Sequence, residues 1–101
     1  MVNAAILNKV LEYTKQIPSE MDVKKVYLFG SYAKGLERED SDIDIAIILP
    51  TIKDFFETQM QLMRIRRNID LRIEPHPISS DDFTEFNPLA FDIISQGIEI
   101  L

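Results

Sequence analysis

The chain has 101 residues, 46% hydrophobic and 28% charged, a usage that fits one globular domain over 1–101 and excludes a disordered polymer. Seventeen acids against eleven Lys and Arg leave a net charge of -6. An extended nucleic-acid groove and a membrane-surface role both need basic faces, so both are disfavoured.

There is no cysteine and one histidine, His76, which rules out disulfides, thiolate catalysis and two-histidine metal motifs. No apolar run approaches the roughly 20 residues of a membrane span. The first residues lack the basic-then-apolar pattern of a signal peptide, so a cytoplasmic location is expected.

In chain order, Val2, Ala5, Ile6, Val10, Leu11 and Ile17 recur at helical spacing up to Pro18, predicting a helix over 3–17. Val26 to Phe29, ended by Gly30, reads as a buried strand. Residues 31–40 are polar and glycine-punctuated, a connecting loop with room for one helical turn. Ile43 to Leu49 carries the strongest strand signal and ends at Pro50. Thr51 and Asp54 resemble a capping box ahead of a second helix over 52–66. Ile69 to Ile73 reads as a third strand, broken by Pro75-His76-Pro77. Asn87-Pro88 opens a last helix, and Gly97 sits where a C-terminal cap belongs. The expectation is an α+β fold: a small mixed sheet, three-stranded or slightly larger, covered by helices.

The chemistry lies in Gly30-Ser31-Tyr32-Ala33-Lys34-Gly35 and Ser41-Asp42-Ile43-Asp44-Ile45-Ala46-Ile47-Ile48. Gly30 and Gly35 have P-loop spacing, but Leu36-Glu37 replaces the required Lys-Ser/Thr. Asp40, Asp42 and Asp44 match calcium-loop positions 1, 3 and 5, yet Ile45 and Thr51 stand where Gly and Glu are needed. A magnesium-nucleotide site survives. On a strand, Asp42 and Asp44 project to one side about 6.6 Å apart along the chain, and two such carboxylates suit a hard cation or a pair of them. Gly30 lets a backbone approach a phosphate closely, and Ser31 adds a hydroxyl and an N–H there.

These two motifs, at this spacing and on these elements, resemble the signature of the DNA polymerase β-like nucleotidyltransferases, and in particular the minimal nucleotidyltransferases of about this length. The resemblance implies that Gly30 and Ser31 bind nucleotide phosphates, with Lys34 and Ser41 beside them. It implies that Asp42 and Asp44 hold Mg²⁺ or Mn²⁺ for ATP or another nucleoside triphosphate. It also implies a third carboxylate on a later strand that activates the acceptor hydroxyl. Asp70 is the natural match; Glu74, placed with Asp70 and Arg72 on one face of the expected strand, is the alternative. The implied activity moves a nucleoside monophosphate onto a hydroxyl of a partner protein or other acceptor. The rival reading is a non-catalytic binding module, an antitoxin-like component paired with a HEPN-type helical protein.

Several residues have plainer readings. Arg64, Arg66 and Arg67 answer a helix dipole, whereas Lys34 and Arg38 lie nearer the expected phosphates. His76 between two prolines reads as structural, and Phe55, Phe56, Met60 and Met63 as core or an interface stripe. With Phe83, Phe86, Leu89, Phe91, Ile93 and Ile94 added, the chain carries more peripheral apolar groups than it can bury. A homo-oligomer or a protein partner is therefore expected, and the acidic stretch after Arg72 favours a basic one.

Overall fold

Ile43, Ile45 and Ile47 decide which way the central strand faces. Side chains alternate along a strand, so these three point to one side, and Asp44, Ala46 and Ile48 to the other. A computed structural model describes residues 2–101 and places this strand, Ile43–Leu49, inside a four-stranded sheet. The strands are β1 (Lys25–Phe29), β2 (Ile43–Leu49), β3 (Ile73–Ser79) and β4 (Ile98–Glu99), in spatial order β3-β2-β1-β4. β1 runs antiparallel to β2 and β4, while β2 and β3 are parallel. The expected mixed α+β fold is the one observed.

Helices cover both sides. On the isoleucine side, α1 (Ala4–Lys15) contributes Ile6, Val10 and Tyr13, and α3 (Phe55–Ile65) contributes Leu62. Tyr13 is fully buried, its hydroxyl donating to the Leu62 carbonyl at 2.8 Å, so the phenol carries its polar end into the core satisfied. On the other side, α4 (Pro88–Gln96) sets Ile93 against Phe29, Ala46, Ile48 and Ile78. At the end of β2 that carries Asp44, that side chain is half-buried. A one-turn helix, α2 (Ser31–Lys34), follows β1 directly.

Local signals set most boundaries. Asn3 caps α1 through the Ala5 N–H at 2.7 Å, and Asn87 caps α4 through the N–H groups of Leu89 and Ala90. The second long helix starts later than the expected 52–66. Its cap is Asp54, which accepts from the Glu57 N–H at 3.0 Å, and Thr51 is not the cap.

The third strand needs a larger correction. It spans Ile73–Ser79, not 69–73, and the Pro75-His76-Pro77 segment expected to break it lies inside it. β3 is an edge strand, and edges accept proline where the missing N–H would face away from the sheet. That holds here. The Ile73 and Pro75 carbonyls point outward and accept from Arg66 Nη1 at 2.9 Å and Gln59 Nε2 at 3.0 Å, while the Arg72 carbonyl faces β2 and accepts from the Ile43 N–H. Odd residues of β3 thus turn their backbone from the ladder, and both prolines are odd. The two α3-side donors also cover an edge that would otherwise be open to pairing.

The apolar surplus remains at the surface. Ile93 is buried and Phe83 half-buried, but Phe55, Phe56, Phe86, Leu89, Phe91 and Ile94 are exposed, Phe86 at 88%.

Candidate active site

One end of the sheet gathers the polar groups. β1 ends at Phe29, paired across the ladder with Asp44, and the chain turns at Gly30 into α2. Gly30 has φ 74° and ψ -151°, a conformation essentially confined to glycine. A Cβ there would also run into Asp44 Oδ2. The missing side chain is what allows the turn and the carboxylate to share this space. Ser31 opens α2 at the same point.

Asp42 lies just before β2 and is exposed; among the described residues no donor reaches its carboxylate. Asp44 Oδ1 is held by His76 Nε2 at 3.0 Å. The tautomer that fits this contact to an accepting carboxylate has its proton on Nε2. Parallel register sets Glu74 beside Asp44 and His76 beside Ala46. Asp44, Glu74 and His76 therefore share the side of the sheet opposite the isoleucines, and Asp42 immediately precedes β2.

Asp70 does not join them. It lies in the turn before β3, and its carboxylate takes Arg72 Nε and Nη2 at 3.0 and 2.7 Å, the Arg72 backbone N–H at 2.9 Å and Lys9 Nζ at 2.6 Å. Hydrogen bonds from Arg72 hold this acid well below the usual carboxylate range, with Lys9 adding to the effect against the opposing influence of burial. Lys9 belongs to α1, so the network faces the isoleucine side. Arg72 also donates to the Tyr32 hydroxyl at 3.1 Å. The expectation that Asp70 stands on a strand face with Glu74 is corrected: only Glu74 is on β3.

Lys34 pairs with Asp92 of α4 at 3.1 Å, tying α2 to that helix. The Ser41 hydroxyl oxygen accepts from the Arg38 N–H at 2.7 Å and closes the loop before Asp42. Arg66 lies 3.6 Å from Glu74 and so has a role at the β3 edge beyond answering a helix dipole.

Among the described residues, no three acid or histidine side chains stand close enough together to hold a metal ion. In this conformation neither the expected set Asp42, Asp44 and Asp70 nor the set Asp42, Asp44 and Glu74 is gathered. The donor chemistry still suits a hard divalent cation, because Asp44 and Glu74 offer only oxygen from one side of the sheet and Asp42 adds another carboxylate just before β2. In this conformation Glu74 is drawn to Arg66 and Asp44 to His76.

Such a site, on this mixed sheet, defines a class. The family model described as nucleotidyltransferase domain matches residues 7–95, and the chain belongs to that family. Two Methanocaldococcus jannaschii proteins bearing the provisional name protein adenylyltransferase are similar to it. One is 33% identical over 75 residues, covering 69% of this chain and 76% of that protein. The other is 37% identical over 57 residues, covering 54% of this chain and 66% of that protein, just under two thirds of its length. Among solved structures, a toxin–antitoxin crystal structure with AMP-PNP aligns with TM-score 0.65 and 24% identity over 94% of this chain and 72% of that one. A complex of tri-AMPylated Shewanella oneidensis HEPN toxin with its MNT antitoxin aligns with TM-score 0.57 and 21% identity over 95% of this chain and 69% of that one. At these identities the structures establish the shared fold.

No helix is long and apolar enough to cross a membrane among the described residues.

Proposed function

We propose that this chain transfers AMP from ATP to a hydroxyl of a partner protein, with Asp42, Asp44 and Glu74 as its acidic centre. The observation that carries the reading is the parallel register of Asp44 with Glu74, next to Asp42 and to a Gly30 whose missing Cβ leaves room for Asp44. Glu74 takes the role of third acid because Asp70 is spent on Arg72 and Lys9.

The roles follow from position. Gly30 and Ser31 present backbone N–H and hydroxyl groups to the phosphates, where fixed donors stabilise charge developing on the leaving pyrophosphate. Asp42 and Asp44 would hold a divalent cation such as Mg²⁺ or Mn²⁺, with Glu74 completing the set. When bound, the cation supplies positive charge that neutralises triphosphate and eases deprotonation of the acceptor. In this reading Glu74 would also orient the acceptor hydroxyl and accept its proton.

The substrate and partner rest on the comparisons. Protein adenylyltransferase names, the AMP-PNP complex and the AMPylated HEPN toxin support ATP as donor and a HEPN-type protein as acceptor. The exposed aromatic residues of α3 and the α4 region supply apolar surface for such a partner. So shallow a site also favours a second surface to exclude water.

Calorimetry and α-phosphate-labelled ATP test the reading together. ATP with Mg²⁺ at about 100 times the dissociation constant should stabilise the fold by roughly 2.7 kcal/mol, and label should pass to the partner with release of pyrophosphate. Asp42→Asn should lose both responses. Stability indifferent to ATP and Mg²⁺ would refute the site.

A further inference from the structure

We propose that His76 is a positioning residue for this reaction: its Nε2–H fixes Asp44 Oδ1 and thereby aims Oδ2 at the Gly30–Ser31 turn. The inference rests on the reading of Asp44 as part of the acidic centre.

Three contacts build the device. His76 Nε2 lies 3.0 Å from Asp44 Oδ1, and Asp44 Oδ2 occupies the space a Gly30 Cβ would fill. Both oxygens are therefore placed, one by a donor and one by a gap. The imidazole is fixed in turn. It meets the Phe29 ring edge-on, with centroids 5.0 Å apart and planes at 65°. Its ladder neighbour is Ala46, whose methyl leaves the ring room to lean toward Asp44. Phe29 is paired across β1 and β2 with Asp44 itself, so ring and carboxylate are braced from both neighbouring strands.

Without the N–H, the Asp44 carboxylate is free to rotate about its last torsion, a soft two-fold one. Productive orientations would then be a fraction of those sampled. Partners that orient a ligating side chain commonly change affinity or activity by about 10–100-fold when removed. Substrate binding elsewhere would be spared, which separates orientation from folding.

The test compares His76→Phe, which keeps an aromatic ring against Phe29 but has no donor, with His76→Gln, whose amide N–H can reach a similar point. Mn²⁺ binding is titrated by electron paramagnetic resonance in the presence of a non-hydrolysable ATP analogue, and transfer to the partner is followed alongside. For His76→Phe, Mn²⁺ affinity and kcat should each fall about 10–100-fold, with KM for ATP, measured at saturating Mn²⁺, within about twofold of wild type. His76→Gln should recover most of both. Since His76 is the only histidine, its ¹⁵N imidazole signals need no assignment. They should report the Nε2–H tautomer in the wild type and shift in Asp44→Asn. Unchanged Mn²⁺ affinity in His76→Phe, or a glutamine variant no better than phenylalanine, would overturn the proposal. If the wild type transfers nothing while His76→Phe still weakens Mn²⁺ binding, the functional reading fails and the positioning role stands.

Discussion

The absent side chain of Gly30 and the carboxylate of Asp44 occupy one space: a Cβ at 30 would meet Asp44 Oδ2, Cγ and Cβ. Gly35 has nearly the same φ, 73°, but nothing lies within 4 Å of where its Cβ would be. The two glycines separate backbone strain from damage to the site. Gly35→Ala should cost about 1–2 kcal/mol for the left-handed conformation and leave transfer intact. Gly30→Ala should cost about 1–3 kcal/mol and abolish transfer, because Asp44 must move. Chemical denaturation and a transfer assay on both variants check this.

The two candidates for third acid are predicted to fail in different ways. Glu74→Gln should lower transfer by about 10²–10⁴-fold, the range for losing a general base, with the melting transition little changed, since the Arg66 pair is long and partly solvated. Asp70→Asn should instead destabilise the fold by about 2 kcal/mol through its charged hydrogen bonds, while the folded protein still transfers AMP. Activity per folded molecule distinguishes them.

Acid should erase the Asp70 contribution. Its folded-state pKa is depressed, chiefly by Arg72, so its stabilisation is fully present above the unfolded carboxylate value and is lost as pH falls through the folded one. The stability gap between wild type and Asp70→Asn should therefore be constant near neutrality and shrink progressively below about pH 4. Urea unfolding from pH 7 downward measures it. A gap that widens with acid would contradict the Asp70–Arg72–Lys9 network.

What the sequence revealed was local. The β2 isoleucines, the glycine turn at Gly30 and the Asn87-Pro88 cap each carry their signal within a few residues, and each is found where expected. The third strand was hidden because proline reads as a breaker until the strand is known to lie at an edge, which is a property of the whole sheet. The same error misplaced Asp70, whose spacing from Glu74 fits a strand face as well as a turn. Only Lys9, sixty-one residues earlier in the chain, and Arg72 show where its carboxylate goes. Between its two prolines, His76 reads as structural. Its signal was the alternation of Glu74, His76 and Ile78 against Ile73, Pro75 and Pro77, a strand period that the breakers masked. Two-residue β4 has too little sequence to announce itself.

The central claim is that the Asp42, Asp44 and Glu74 side of the sheet transfers AMP to a protein. Intact-mass spectrometry of a HEPN-type partner, incubated with ATP, Mg²⁺ and either the wild type or Glu74→Gln, tests it most directly. The partner should gain one or more AMP units with the wild type and at most a trace in the same time with Glu74→Gln, while Asp70→Asn still modifies it. An unmodified partner in a stable complex with ATP-bound wild type, or equal modification by Glu74→Gln, would contradict it.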